Sequence, residues 1–113
     1  MKDTIISEKQ AVNTMKKIGV MHGGIKIMKD KAVFRLVMLD KVISPLANLI
    51  KEEMLAAGGD AAIHKDAISR RVETTGIILM GTLAQYKRFV QKMNKQPYGS
   101  KYIAQRVKKV LKL

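Results

Sequence analysis

The chain has no cysteine and no tryptophan, and only two phenylalanines and three tyrosines among its 113 residues. Without cysteine there can be no disulfide scaffold, no zinc–thiolate site and no thiol nucleophile. The scarcity of aromatic rings argues against any mode of binding built on stacking bases over side chains. Long apolar runs are also missing. The most hydrophobic windows, residues 32–39 and 76–80, are far shorter than the ~20 residues a membrane span requires. The first residues, Met1-Lys-Asp-Thr-Ile-Ile-Ser7, hold no apolar stretch of secretory length, so a cytoplasmic location is expected. A final absence is local: no acidic residue follows Glu73.

What is present describes one globular domain over residues 1–113. Hydrophobic residues make up 47% and charged residues 27%, enough of the former to build a core. Lys and Arg number 22 against 9 Asp and Glu, a formal net charge of +13. Such a balance points toward an anionic partner, whether nucleic acid, an acidic protein or a phosphorylated metabolite. The excess is concentrated at one end. Residues 74–113 carry Lys87, Arg88, Lys92, Lys95, Lys101, Arg106, Lys108, Lys109 and Lys112 with no acid among them.

Local signals alternate between helix and strand. Ser7 and Gln10 form a capping box before the stripe Ala11, Val12, Met15 and Ile18, and Gly19 supplies a left-handed stop, so a helix over 8–18 is expected. Residues 19–31 give mixed signals around Gly23-Gly24. Residues 32–39 read as a central strand covered on both faces, ended by a turn at Asp40-Lys41. Ser44-Pro45 starts a helix that Gly58-Gly59 ends, and 61–64 is short enough for a strand. After a polar loop, 76–81 reads as a buried strand. Thr82 and Gln85 then cap a helix whose inner stripe is Leu83, Tyr86, Phe89, Val90 and Met93. Pro97-Tyr98-Gly99 breaks the chain, and Ser100 caps a last helix with Ile103, Val107, Val110 and Leu111 turned inward. The expected fold class is α/β: a layered domain with a mostly parallel sheet of three or four strands and about four helices, joined by a right-handed crossover.

Chemistry-bearing motifs are sparse. There is no GxxxxGK[ST] phosphate loop and no GxGxxG, and His22 and His64 have no metal-site spacing. No catalytic residue, metal site or cofactor is therefore expected. Two anion-binding candidates stand out. One is Lys87, Arg88, Lys92 and Lys95 on the penultimate helix; the other is Arg70 and Arg71 as clamps beside Asp60 and His64 at a strand end. The plain alternative in both cases is a solvated polar surface.

Three segments carry a family resemblance: Leu49-Ile-Lys-Glu-Glu-Met-Leu-Ala-Ala-Gly-Gly-Asp-Ala-Ala62, Thr75-Gly-Ile-Ile-Leu-Met-Gly-Thr-Leu-Ala-Gln-Tyr86 and Gln96-Pro-Tyr-Gly99. With Lys17-Ile-Gly-Val20 and Gly24-Ile-Lys-Ile-Met28, their order and spacing resemble the N-terminal domain that precedes the barrel in long, clostridial-type dihydropteroate synthases. The resemblance implies a folate-biosynthesis context. It carries over no catalytic residue, because the (β/α)₈ barrel of roughly 250 residues cannot fit in this chain. The expectation is a non-enzymatic accessory domain docking on a protein partner such as a synthase barrel. The alternatives are a basic nucleic-acid-binding module and a binder of a phosphorylated pterin-like metabolite. Whether the chain forms homo-oligomers is left open.

Overall fold

The computed structural model describes residues 2–97 and 99–113. The first helix, α1 (Glu8–Ile18), has the expected bounds. The Gln10 side chain accepts the Ser7 backbone N–H at 2.9 Å, and Gly19 closes the helix at φ 92°. The mixed signals that follow resolve as helix: α2 (His22–Met28) runs into a 3₁₀ turn at Lys29–Ala32. This makes five α-helices among the described residues, one more than expected.

The remaining elements are β1 (Phe34–Ile43), α3 (Ser44–Ala56), β2 (Asp60–Ala62), β3 (Thr74–Thr82), α4 (Leu83–Asn94) and α5 (Ser100–Leu111). They confirm a small α/β domain with a three-stranded sheet, but the sheet is antiparallel, in the order β1-β3-β2. The strand–helix–strand run does carry the chain from β1 through α3 to a strand with the same direction. β3 then enters between the two, antiparallel to each, so the same-direction strands are not neighbours. Periodicity alone cannot reveal such an insertion, because a buried central strand reads alike in either sheet type. The central strand is therefore β3, and β1 is an edge.

β1 also runs four residues beyond the expected end. Asp40-Lys41 is a bulge, not a turn: the pairing register shifts between Leu39 and Val42, Lys41 adopts φ 51°, and its N–H donates to Asp40 Oδ1 at 2.9 Å. The extra residue resets the alternation, so that Val37, Leu39 and Val42 all face the core.

The main core cluster lies on one side of the sheet. Val37, Leu39, Ile77, Leu79 and Ala61 meet Ala47, Ile50 and Met54 of α3, Tyr86, Phe89, Val90 and Met93 of α4, and Ile103, Ala104 and Val107 of α5. The expected inner stripe of α4 is thus realised from Tyr86 onward. On α5, Ile103 and Val107 are buried and Leu111 packs partly against the core, while Val110 is exposed because it falls off the 103–107–111 stripe. Ser44 and Ser100 start their helices from just inside the first turn, not from the cap position. Their hydroxyls instead donate to carbonyls, Ser44 to that of Val72 in the loop before β3 and Ser100 to that of Pro97 just ahead of α5.

Candidate functional site

Helices cover one face of the sheet, and the other face is open. In the ladder Phe34 lies opposite Thr82, Leu36 opposite Met80, and Met38 opposite Ile78. On the far side Met80 pairs with Asp60 and Ile78 with Ala62. Phe34, Leu36, Met38, Ile78, Met80 and Ala62 lie on the face away from the core, since successive strand residues alternate faces, while Thr82 turns its hydroxyl to cap α4 and Asp60 is held by Lys51 of α3. Phe34, Leu36 and Met38 are 54%, 68% and 58% exposed, Ile78 is 42% exposed, and Met80 is half-buried. Cross-strand neighbours are close enough to touch, so these form one apolar patch and not scattered surface residues.

Sequence reasoning missed this face. The apolar run 32–39 was read as covered on both sides, whereas its even-numbered residues are uncovered. Only the even–odd split of the run, combined with knowledge of the partner strand, could have exposed it.

The glycine pair and the capping box that carry the family resemblance meet in space. Gly58 follows α3 at φ 99°, and its carbonyl accepts Gln85 Nε2 at 3.0 Å. The same Gln85 accepts the Thr82 N–H at 2.8 Å, while Arg88 donates to the Ala57 carbonyl at 2.8 Å. Gly59 lies so close to β3 that a Cβ would stand 2.4 Å from the Met80 carbonyl oxygen. The pair closes a turn onto a strand. Of the third segment, Gln96 and Pro97 line an apolar recess of about 280 Å³ with Ile43, Pro45, Leu46 and Leu49. Tyr98 lies outside the described residues.

The charged candidates divide. On α4, Lys87 Nζ sits 2.6 Å from Asp30 and Lys92 Nζ sits 3.9 Å from Glu53, and Arg88 holds the end of α3. Of the four candidates on α4, Lys87 and Arg88 are therefore engaged within the fold, and Lys92 stands near an acid without a hydrogen bond to it. Lys95, at the helix end, is exposed. On α5 the outward residues include Lys101, Lys108 and Lys109, and Lys112 just past its end is also exposed. Arg106 lies over the Tyr102 ring at 5.7 Å and donates to the Asp40 carbonyl at 3.1 Å. Among the described residues the ion pairs include none from α5.

Asp60 and His64 fall at opposite ends of β2. The Ala61 amide, then the Lys51 ammonium, hold the Asp60 carboxyl below the usual carboxylate range. His64 Nδ1 accepts the Asp66 N–H at 3.0 Å and stands 4.0 Å from the Asp66 carboxylate, so its acidic neighbour is Asp66. Arg70, at φ 60°, and Arg71 are exposed in the same loop, where their backbone amides close turns onto Ala67 and Asp66. Among the described residues no three His, Asp or Glu side chains gather as a metal ion would require. No helix is long and apolar enough to cross a membrane among those residues.

Two curated proteins are similar to this chain. A probable bifunctional folylpolyglutamate synthase/dihydropteroate synthase of Halobacterium salinarum is 30% identical over 89 residues, covering 79% of this chain and 11% of that protein. A bifunctional dihydropteroate synthase/dihydropteroate reductase of Helicobacter pylori is 28% identical over 100 residues, 88% of this chain and 26% of that protein. The chain thus spans about a ninth of the one and about a quarter of the other. No family model matches the chain, and no solved structure does. The similarity supports the folate context that the sequence motifs implied.

Proposed function

We propose that this chain is a non-catalytic accessory domain of folate-synthesising enzymes, acting through protein contacts made by its open sheet face. The observation that carries the reading is the apolar patch of Phe34, Leu36, Met38, Ile78 and Met80, left uncovered by a fold whose core helices α3, α4 and α5 pack on the other side. A soluble surface does not keep so many contiguous apolar side chains in water without a partner to cover them. The similarity to regions of two enzymes whose names include dihydropteroate synthase supplies the context. Three antiparallel strands are not a segment of a parallel (β/α)₈ barrel, which supports placing the matched region outside the synthase barrel.

Replacing Leu36 with Lys is the direct test, because Leu36 is solvent-exposed and its substitution leaves the core intact. Sedimentation velocity should show association lost, whether with a synthase barrel or between copies, and an unchanged thermal melt. Association that survives the substitution contradicts the reading. The non-catalytic part is wrong if the isolated chain forms dihydropteroate from a pterin pyrophosphate and p-aminobenzoate, or reduces dihydropteroate with a hydride donor.

A second reading, a basic nucleic-acid-binding module, is favoured by α5, whose lysines face solvent without an acidic partner among the described residues. Phosphate tracking by such a helix would be sequence-tolerant and strongly salt-dependent.

A further inference from the structure

We infer that the open sheet face is shaped to receive a second copy of the same chain, related by a half-turn about an axis parallel to β3. The inference rests on the reading of that face as a docking surface and narrows its partner to the chain itself.

The register supplies the geometry. Across the face, one row runs Met38, Ile78, Ala62, and the next runs Leu36, Met80, Asp60. Beyond it Phe34 pairs with Thr82, and the chain on the β2 side is Gly58-Gly59, which carries no side chain. The β1 side of every row is thus large and apolar, and the β2 side is small or carries only a short side chain. The face slopes from a tall edge to a low one. A half-turn about an axis along β3 places β1 of one copy over β2 of the other, so that tall meets low at both ends. Met38 then lies over the partner's Ala62, Ile78 over the same residue of its partner, and Phe34 over the glycine turn. Sheets stacked face to face stand about 10 Å apart, a gap that one large side chain opposed to a small one fills. The contact is isologous, as closed dimers require.

Charge placement permits the same arrangement despite +13 per chain. The basic helices α4 and α5 lie behind the opposite side of the sheet and end up on the outside of the pair. On the facing rows the charged side chain is Asp60, which the half-turn sets beneath the partner's Leu36 at the edge of the contact, its carboxylate taken up by the Ala61 amide and Lys51. Pairing by β1 edge to β1 edge would instead bring the two α5 helices together, since Arg106 of α5 already reaches the Asp40 carbonyl on β1.

Sedimentation equilibrium from micromolar to millimolar protein tests this. The wild type should dimerise, and Met38→Lys should be monomeric with an unchanged melt. Ala62→Met raises the low edge and should weaken the dimer about tenfold or more, as overpacking of a fitted contact does. The swap Met38→Ala/Ala62→Met restores tall-to-low matching and should recover most of that loss. A wild type monomeric throughout overturns the second-copy proposal. So does a dimer indifferent to Met38→Lys, or one that Ala62→Met leaves unchanged. The docking reading fails separately: it survives a monomeric result if a synthase barrel binds the wild type but not Leu36→Lys, and falls with it if neither association is found.

Discussion

Gln85 reaches from the first turn of α4 to the carbonyl of Gly58, 27 positions earlier in the chain, at 3.0 Å. The same side chain caps its own helix through the Thr82 N–H. One amide group therefore ties the β3–α4 turn to the α3–β2 turn, and the two most recognisable stretches of the sequence prove to be a single structural clasp. Gln85→Ala removes both bonds and should cost on the order of 1–3 kcal/mol of stability, measured by urea denaturation. Gln85→Glu keeps the cap and loses the donor to Gly58, so it should fall between the two.

Gly59→Ala probes the other half of the clasp. Its Cβ would collide with the Met80 carbonyl and with the Met54 side chain, and a backbone oxygen in the central strand cannot move aside cheaply. A loss of about 1–3 kcal/mol is expected from such overpacking. A neutral result would show that this turn is not held against β3.

Tyr86 gives a pH signature. Its hydroxyl donates to the Arg35 carbonyl at 2.8 Å, and burial pushes its pKa up to about 12, with a backbone contact from Val37 opposing the rise. The unfolded chain ionises this phenol near its ordinary value of about 10. The neutral phenol is the form the fold favours, so its contribution is complete below about pH 10 and declines as pH rises toward 12. Tyr86→Phe should be less stable by about 1 kcal/mol at neutral pH, from loss of the hydrogen bond. The gap between the two proteins should narrow through that alkaline window. A gap that widens there would contradict the assignment.

The charged helices make a separate prediction. Lys87 and Lys92 have acidic neighbours in the fold and Arg88 holds a carbonyl, whereas the α5 lysines have no acidic partner among the described residues. If the chain binds nucleic acid, replacing Lys101, Lys108 and Lys109 with Gln should weaken binding and flatten its salt slope. The same change at Lys87 and Lys92 should do less to binding and more to stability. Fluorescence anisotropy over a salt series reads the first effect.

The helices were largely legible in the sequence because their signals are local. Ser7 with Gln10, Thr82 with Gln85, and glycines just past the ends of α1 and α3 mark termini within a few residues of the groups they satisfy. The sheet was not. Whether Ala32 to Leu39 is a central or an edge strand depends on β3, some 40 positions away, and nothing within the run encodes which neighbour it takes. Asp40-Lys41 looked like a turn because a bulge uses the same residue types to turn the chain briefly out of register. The open face stayed hidden for a related reason. Leu36 and Met38 are as apolar as Val37 and Leu39, and a face meant for a partner has the composition of a core. The charge was visible from the outset, but its use was not, since the contacts of Lys87 with Asp30 and Lys92 with Glu53 join distant segments.

The claim that the open sheet face is a contact surface is tested most directly at its own methionines. Met38 and Met80 lie on that face, while Met21, 83% exposed, lies elsewhere and serves as an internal reference. Their rates of oxidation by dilute peroxide can be followed by mass spectrometry as protein concentration rises, with and without a dihydropteroate synthase barrel. Protection of Met38 and Met80 relative to Met21, abolished by Leu36→Lys, is the result expected here. Equal reactivity of all three under every condition would contradict it.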